Sequence, residues 1–233
     1  MALGTLLLPF RCRHCSRLIG QPHLLCLSCH RILASCRIPK AELPGWSPAG
    51  RACLAVSYYR AGSPLRSLHH AAKFHADEQA CRFMERYLVR GMTALPPIDH
   101  VPPIDYVPPI DYVPPVDCVV PVPSHPARLR DRGLDLTGRL GAAVARATGA
   151  ASRPDFLRRT HLGRPQNDLD REGRIANVKC VFEASTDVHP GMRIILVDNV
   201  VTTGATLDAA AEPLEQQGAR VTLLALAFRR QLF

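Results

Sequence analysis

Ile194-Ile195-Leu196-Val197-Asp198-Asn199-Val200-Val201-Thr202-Thr203-Gly204-Ala205-Thr206-Leu207 is the stretch on which the reading of this chain turns. An apolar, β-branched run of strand character ends at a polar pair. A short loop of Thr, Thr, Gly and Ala follows, and from Thr206 to Gln217 the residues suit a helix that Gly218 can end. Strand, small-residue loop and helix N-terminus together hold a phosphate well, because unpaired backbone N–H groups and the positive end of the helix dipole face the anion. The hydroxyls of Thr202, Thr203 and Thr206 add donors. Asp198 and Asn199 stand at the carboxyl end of the strand, where sugar hydroxyls lie if the phosphate belongs to a ribose. The plainer alternative is a buried strand and a well-capped helix that bind nothing, although such a turn has no need of three threonines around one glycine.

The same residues resemble the 5-phosphoribosyl-1-pyrophosphate (PRPP) loop of type I phosphoribosyltransferases. In that motif hydrophobic residues precede two acidic residues, two more hydrophobics, and a Thr-Thr/Ala/Ser-Gly-x-Thr segment. One position departs from it: Asn199 replaces the second acid, keeping hydrogen-bonding capacity without the negative charge.

At 233 residues the chain has room for one substantial domain and a small accessory one. No apolar run reaches the roughly 18–20 residues that cross a bilayer. The apolar start, Met1 to Phe10, lacks a basic leader and runs into Cys12, so it reads as packed structure rather than a signal peptide. The expectation is a cytoplasmic chain with its nine cysteines reduced or metal-bound. The net charge of +9 favours anionic partners such as phosphosugars, nucleotides or single-stranded DNA. The arginines are spread along the chain, however, and a solvated basic surface accounts for them equally well.

Cys12-x-x-Cys15 and Cys26-x-x-Cys29 form two knuckles, each placing two thiolates on a tight turn; together they complete a tetrahedral zinc site. The alternative is an unliganded or redox-active CxxC pair. His14, His23 and His30 lie nearby but are not needed in a shell already filled by four thiolates. So small a segment has little apolar core of its own, and its folding is expected to depend on the metal.

Residues 40–50 read as a connector, Ala52 to Tyr59 as a strand, and Pro64 to Phe74 and Asp77 to Met92 as two helices. Lys73 is placed either to meet an anion or simply to be solvated. Residues 96–119 contain four tandem hexapeptides, Pro-Pro-Ile-Asp-His-Val through Pro-Pro-Val-Asp-Cys-Val. Two prolines per unit exclude a helix or a central strand, leaving an extended polyproline-like spacer. It is either a neutral expansion at a loop or a docking element. Asp117 to Pro123 is a core strand candidate, Leu134 to Thr148 an amphipathic helix, Phe156 to Asn177 a long loop, Val178 to Phe182 a short strand and Arg220 to Phe228 a last strand. Alternating strand and helix from 117 to 228 indicates an α/β domain with a mostly parallel sheet, whose ligand lies beyond the carboxyl ends of the strands. The expected organisation is a zinc-binding module over 1–37, a connector, strand and helical hood over 38–95, the spacer over 96–116, and the α/β domain over 117–233.

Taken together, the chain resembles the ComF/GntX family, in which a zinc-binding N-terminal segment precedes a type I phosphoribosyltransferase-like domain of mostly parallel sheet flanked by helices. Besides the cysteines and the PRPP loop, the resemblance rests on Lys73-Phe74, Val120-Pro121-Val122-Pro123, Arg132-Gly133, Gln166, Leu169, Arg174, Asn177 and Phe182. It departs where Leu134-Asp135-Leu136 replaces the usual Phe-Asn-Gln, and it lacks a second pair of zinc knuckles. The resemblance implies PRPP as ligand, accompanied by Mg2+. It implies that Thr202, Thr203, Gly204, Ala205 and Thr206 hold the 5′-phosphate and that Asp198 and Asn199 hold the ribose hydroxyls. Asp198 would also stabilise positive charge on the sugar. The turn at Ser124-His125, with Arg128 and Arg132, would take the pyrophosphate, and Arg174 would act as a charge clamp as the 156–177 loop closes. The family is associated with DNA uptake in natural transformation, which makes DNA-uptake proteins candidate partners. Thr202 stands where purine-salvage relatives often carry a carboxylate, which argues against 6-oxopurine salvage. An active phosphoribosyltransferase with an unidentified acceptor and a catalytically weak PRPP- or nucleotide-binding protein in a DNA-handling complex are the two functions to be weighed.

Overall fold

The computed structural model of the chain describes residues 10–39, 45–47, 49–92, 116–124, 129, 133–160 and 181–229. The hexapeptides from 96 to 115, His125, Arg128, Arg132 and Arg174 fall outside them. The frame is a sheet in which β4 (Ala52–Tyr58), β10 (Arg220–Phe228), β9 (Arg193–Val201), β5 (Cys118–Pro121) and β6 (Ala151–Ser152) lie side by side and all parallel. A short β3 (Gly45–Trp46) adds antiparallel to the outer edge of β4. The α/β fold with a mostly parallel sheet flanked by helices is therefore the one expected. From the segment 38–95, β4 is a full member of this sheet.

Alternation along the central strands sorts the core into two layers, as the period of two requires. Leu54, Val56, Val119, Ile195, Val197, Leu224 and Leu226 point to one face. There they meet α2 (Pro64–His75), α3 (Glu78–Met92) and α4 (Leu136–Thr148), through Leu65, Leu68, Met84, Leu88, Leu140 and Val144. Cys53, Ala55, Cys118, Val120, Ile194, Leu196, Leu223 and Ala225 point to the other. They meet α5 (Ala205–Gln216) through Leu207, Ala210, Ala211 and Leu214. Helix α3 comes so near β4 that a Cβ on Gly91 would stand 2.5 Å from Cβ of Val56. Any larger residue there would force the two apart.

Two features of the arrangement are not legible in the sequence. The stretch that reads as a loop from Phe156 begins with a short strand, β7 (Leu157–Arg159), paired antiparallel with β8 (Phe182–Ala184). Buried Phe156, Leu157 and Phe182 anchor this ribbon on the α5 face. The knuckles, for their part, are not an isolated module. The hairpin of β1 (Phe10–Arg11) and β2 (Leu18–Ile19) leads into α1 (Leu27–Ser35), and Cys12, Leu25, Cys26, Cys29 and Leu33 join the same apolar layer as α2 and α3. Arg13 reaches Asp77 at 3.3 Å and His14 meets the Ser67 hydroxyl at 2.9 Å, fixing the hairpin over the junction of those two helices. No helix among the described residues is long and apolar enough to cross a membrane.

Candidate functional site

Strand β9 outruns its neighbour β5. The pairing ends at Pro121 opposite Val197, with one more bond from the Val122 N–H to the Val197 carbonyl at 2.9 Å. On its other side β9 stays paired with β10 as far as Val201. Asp198 and Asn199 therefore lie near a strand end with one edge unpaired among the described residues, at the carboxyl side of a parallel sheet, where ligands of such folds collect. Beyond Val201 the chain turns through Thr202 and Thr203, both exposed, to Gly204 at φ 87°, a left-handed conformation that side chains resist. Gly204 is the N-cap of α5; its carbonyl accepts from the Asp208 N–H at 2.9 Å, and no side chain caps the helix from this position. The Thr203 hydroxyl accepts from the Ala205 N–H at 3.3 Å. The Thr202–Thr206 segment thus presents hydroxyls and the first turn of a helix on the rim of the sheet, the arrangement suited to an anion.

Asp198 is half-buried. That burial pushes its carboxyl up to about 6, against the opposing pull of a 2.7 Å hydrogen bond from the Asn199 N–H and of the Lys73 and Arg159 charges. Lys73, from the last turn of α2, and Arg159, from β7, thereby join the electrostatics of this strand end. Lys73 stands out by its place in the sequence; Arg159 does not, because nothing in its local pattern separates it from its neighbours. Asn199 is held at both ends of its amide. Its oxygen accepts from the Val200 N–H at 2.6 Å, and its nitrogen donates to the Thr137 hydroxyl at 3.3 Å. Thr137 is buried in the first turn of α4, a partner distant in sequence that no local pattern reveals. Ser124 follows β5 and donates to the Asp135 carboxylate at 3.2 Å, so the departing Leu134-Asp135-Leu136 segment is used to start α4 and to hold the turn after β5.

The helix carrying the loop is itself tethered. Asp208, one turn into α5, accepts from the Ser47 hydroxyl at 2.5 Å, the Ala49 N–H at 2.9 Å and the Arg51 guanidinium at 2.9 Å. Arg51 also forks onto Glu215, with contacts of 2.5 and 3.2 Å. Both carboxylates raise the Arg51 pKa, Glu215 most strongly. These contacts are partly shielded from solvent, so they are worth more than an exposed pair. Arg51→Ala should cost about 1.5–3 kcal/mol in chemical denaturation, the range for a charged hydrogen-bonded partner. An unchanged unfolding midpoint would show that the tether contributes nothing.

Within the N-terminal hairpin and α1 the Sγ atoms of Cys12, Cys15, Cys26 and Cys29 all lie within 4.8 Å of one another. Cys15 and Cys26 are 3.7 Å apart. A tetrahedron of sulfurs around a metal at about 2.3 Å has edges of about 3.8 Å, whereas a disulfide needs about 2 Å. Three of the four are buried, and the Cys26 N–H donates to the Cys12 sulfur at 3.3 Å, a bond that favours the thiolate. Burial opposes ionisation of Cys12, but the backbone hydrogen bonds of Cys15, Cys26 and His14 outweigh it and lower the pKa to about 6. The four cysteines are thus a cluster able to bind a metal ion such as zinc.

No protein-family model and no curated protein matches the chain. Among solved structures, the adenine phosphoribosyltransferase from Leishmania tarentolae is similar over 77% of this chain and 66% of that one, at 14% identity and a TM-score of 0.34. The adenine phosphoribosyltransferase from Leishmania donovani is similar over 87% of this chain and 68% of that one, at 13% identity and a TM-score of 0.38. This chain spans about two thirds of the length of either. At these TM-scores the likeness decides nothing about the site, whose reading rests on its own residues.

Proposed function

We propose that the chain binds PRPP, with Mg2+, at the strand end and loop from Asp198 to Thr206, as a phosphoribosyltransferase or a protein derived from one. The observation that carries this reading is the left-handed Gly204 at the N-terminus of α5, three residues past a strand that carries the half-buried Asp198 carboxylate near its carboxyl end. Thr202 to Thr206 take the 5′-phosphate, and Asp198 accepts from the ribose hydroxyls and favours positive charge developing at the sugar. When bound, Mg2+ supplies charge neutralisation for the pyrophosphate. The four-cysteine cluster holds zinc in a structural role. The expected setting is the cytoplasm, with single-stranded DNA or DNA-uptake proteins as partners.

A second reading, a PRPP- or nucleotide-binding protein with little turnover, is favoured by one observation. Asn199, in place of an acid, spends both ends of its amide on Val200 and Thr137. Titrating the purified protein with Mg-PRPP by calorimetry, then screening nucleobases for pyrophosphate release, separates the two. Asn199→Asp should raise pyrophosphate release by roughly tenfold or more while changing PRPP affinity less, because a restored carboxylate favours the cationic transition state over the ground state. If both forms bind and neither releases pyrophosphate with any base, the binding protein is the correct description. Absence of PRPP binding by either form refutes the site.

A further inference from the structure

A cleft of about 600 Å3 opens between α1 and α3, built from neither the phosphate loop nor the carboxyl edge of the sheet. Arg37 faces it just beyond α1, and Arg86 and Arg90, one turn apart on α3, face it from the other wall. His30 also lines it, and none of the described residues on its walls is acidic. The floor is aromatic. Phe83 and Tyr87 lie 6.1 Å apart, centroid to centroid, with ring planes within 13° of parallel, and His30 tilts against Phe83 at 6.2 Å. Arg37 is already poised 5.2 Å above the Tyr87 ring. The Tyr87 hydroxyl donates to the Leu33 carbonyl across the cleft at 3.5 Å, which fixes one wall to the other.

Two properties coincide here. Guanidinium groups converging on one cleft attract a phosphate, and the half-buried Phe83 ring, with Tyr87 nearly parallel to it, offers a stacking surface to a planar base. The volume falls within the range that encloses one small ligand. The geometry points to a nucleotide-binding site between α1 and α3: a single nucleotide unit, its base on the Phe83–Tyr87 surface and its phosphate among Arg37, Arg86 and Arg90. A free mononucleotide and one unit of a single strand share this chemistry.

The test is photolabelling of the full chain with 8-azido-AMP, followed by peptide mapping. Label is expected on peptides spanning 30–37 or 83–90. AMP should compete at least tenfold better than adenosine or ribose 5-phosphate, which carry only half of the ligand each. The double variant Arg86→Glu/Arg90→Glu should lose at least 90% of that label with an unchanged melting temperature, while Thr202→Val should leave it intact. Competition by a ten-nucleotide thymidylate strand at less than one tenth the concentration of dTMP assigns the ligand to single strands; competition proportional to nucleotide content assigns it to free nucleotide. Label confined to 198–207, or label at the cleft that survives the double charge reversal, overturns the proposal.

Discussion

Stripping metal from the Cys12, Cys15, Cys26 and Cys29 cluster should unfold the N-terminal hairpin and α1 while leaving the parallel strands paired. The effect should be the largest that any single treatment of this chain produces. Apparent binding energies for structural zinc run to about 10–16 kcal/mol, more than the whole stability of many domains. Inside the segment, a two-stranded hairpin and a nine-residue helix supply little to replace it. Three of the sulfurs are buried, so loss of the ion exposes a gap lined by thiols at the edge of the α2–α3 layer. Hydrogen exchange should accelerate over 10–36 and spread to α2 through the His14–Ser67 and Arg13–Asp77 contacts. The amides of β9 and β10 should remain protected. Cys26→Ser should reproduce the pattern. Protein purified without chelator that carries less than about 0.2 metal ions per chain, or an exchange map indifferent to chelation, would refute the structural metal site.

Asp198→Asn should make the protein more stable above pH 6 and a worse binder of Mg-PRPP. Burial raises this carboxyl to about 6, above the roughly 3.9 of an exposed aspartate. The folded chain therefore holds the proton more tightly than the unfolded one. The stabilisation linked to that proton is complete below about pH 4 and is lost as pH rises through 6, so wild type should weaken between those values. Asparagine imitates the protonated state and can keep the 2.7 Å hydrogen bond from the Asn199 N–H through its oxygen. The variant should match wild type near pH 4 and exceed it at pH 7.5 by on the order of 2 kcal/mol. Its PRPP affinity should fall by roughly tenfold or more for want of charged hydrogen bonds to the ribose. Wild-type PRPP binding should likewise weaken below pH 6, which the variant should not. A variant equally stable or less stable at pH 7.5 would show that the carboxylate is compensated in the fold.

The strands and helices that carry a clear period are legible in the amino-acid sequence alone. Residues 194–228 read directly as strand, loop, helix and strand because Ile194 to Val197 are continuous and apolar, and because Gly204 and Gly218 mark the turns. The two knuckles are legible because thiolate spacing is a local property. What escapes is non-local. Arg51 looks like any loop arginine until β3 and α5 bring Asp208 and Glu215 to it. Thr137 looks like a first-turn threonine until the sheet places it beside Asn199. β7 is hidden because three residues show no period, and its partner lies beyond a long insertion. The strand at 52–59 is legible, but its place in the sheet is not, since a parallel strand carries no mark of which neighbour it will take.

That neighbour has a consequence for how the chain assembles. β4, near the start of the sheet's sequence, pairs with β10 in the register Cys53 to Leu223 through Tyr58 to Phe228. β10 also supplies the partner edge for β9. During synthesis on the ribosome, β4 must therefore wait without its parallel neighbour until residues 220–228 have emerged. The sheet closes last at its middle, as a parallel pairing of high sequence separation does. Until then an apolar strand edge is available to other chains. A ribosome that stalls between Val201 and Arg220 leaves β4 and the β9–β5–β6 strands as two half-sheets without their shared partner, a natural substrate for chaperones and proteases.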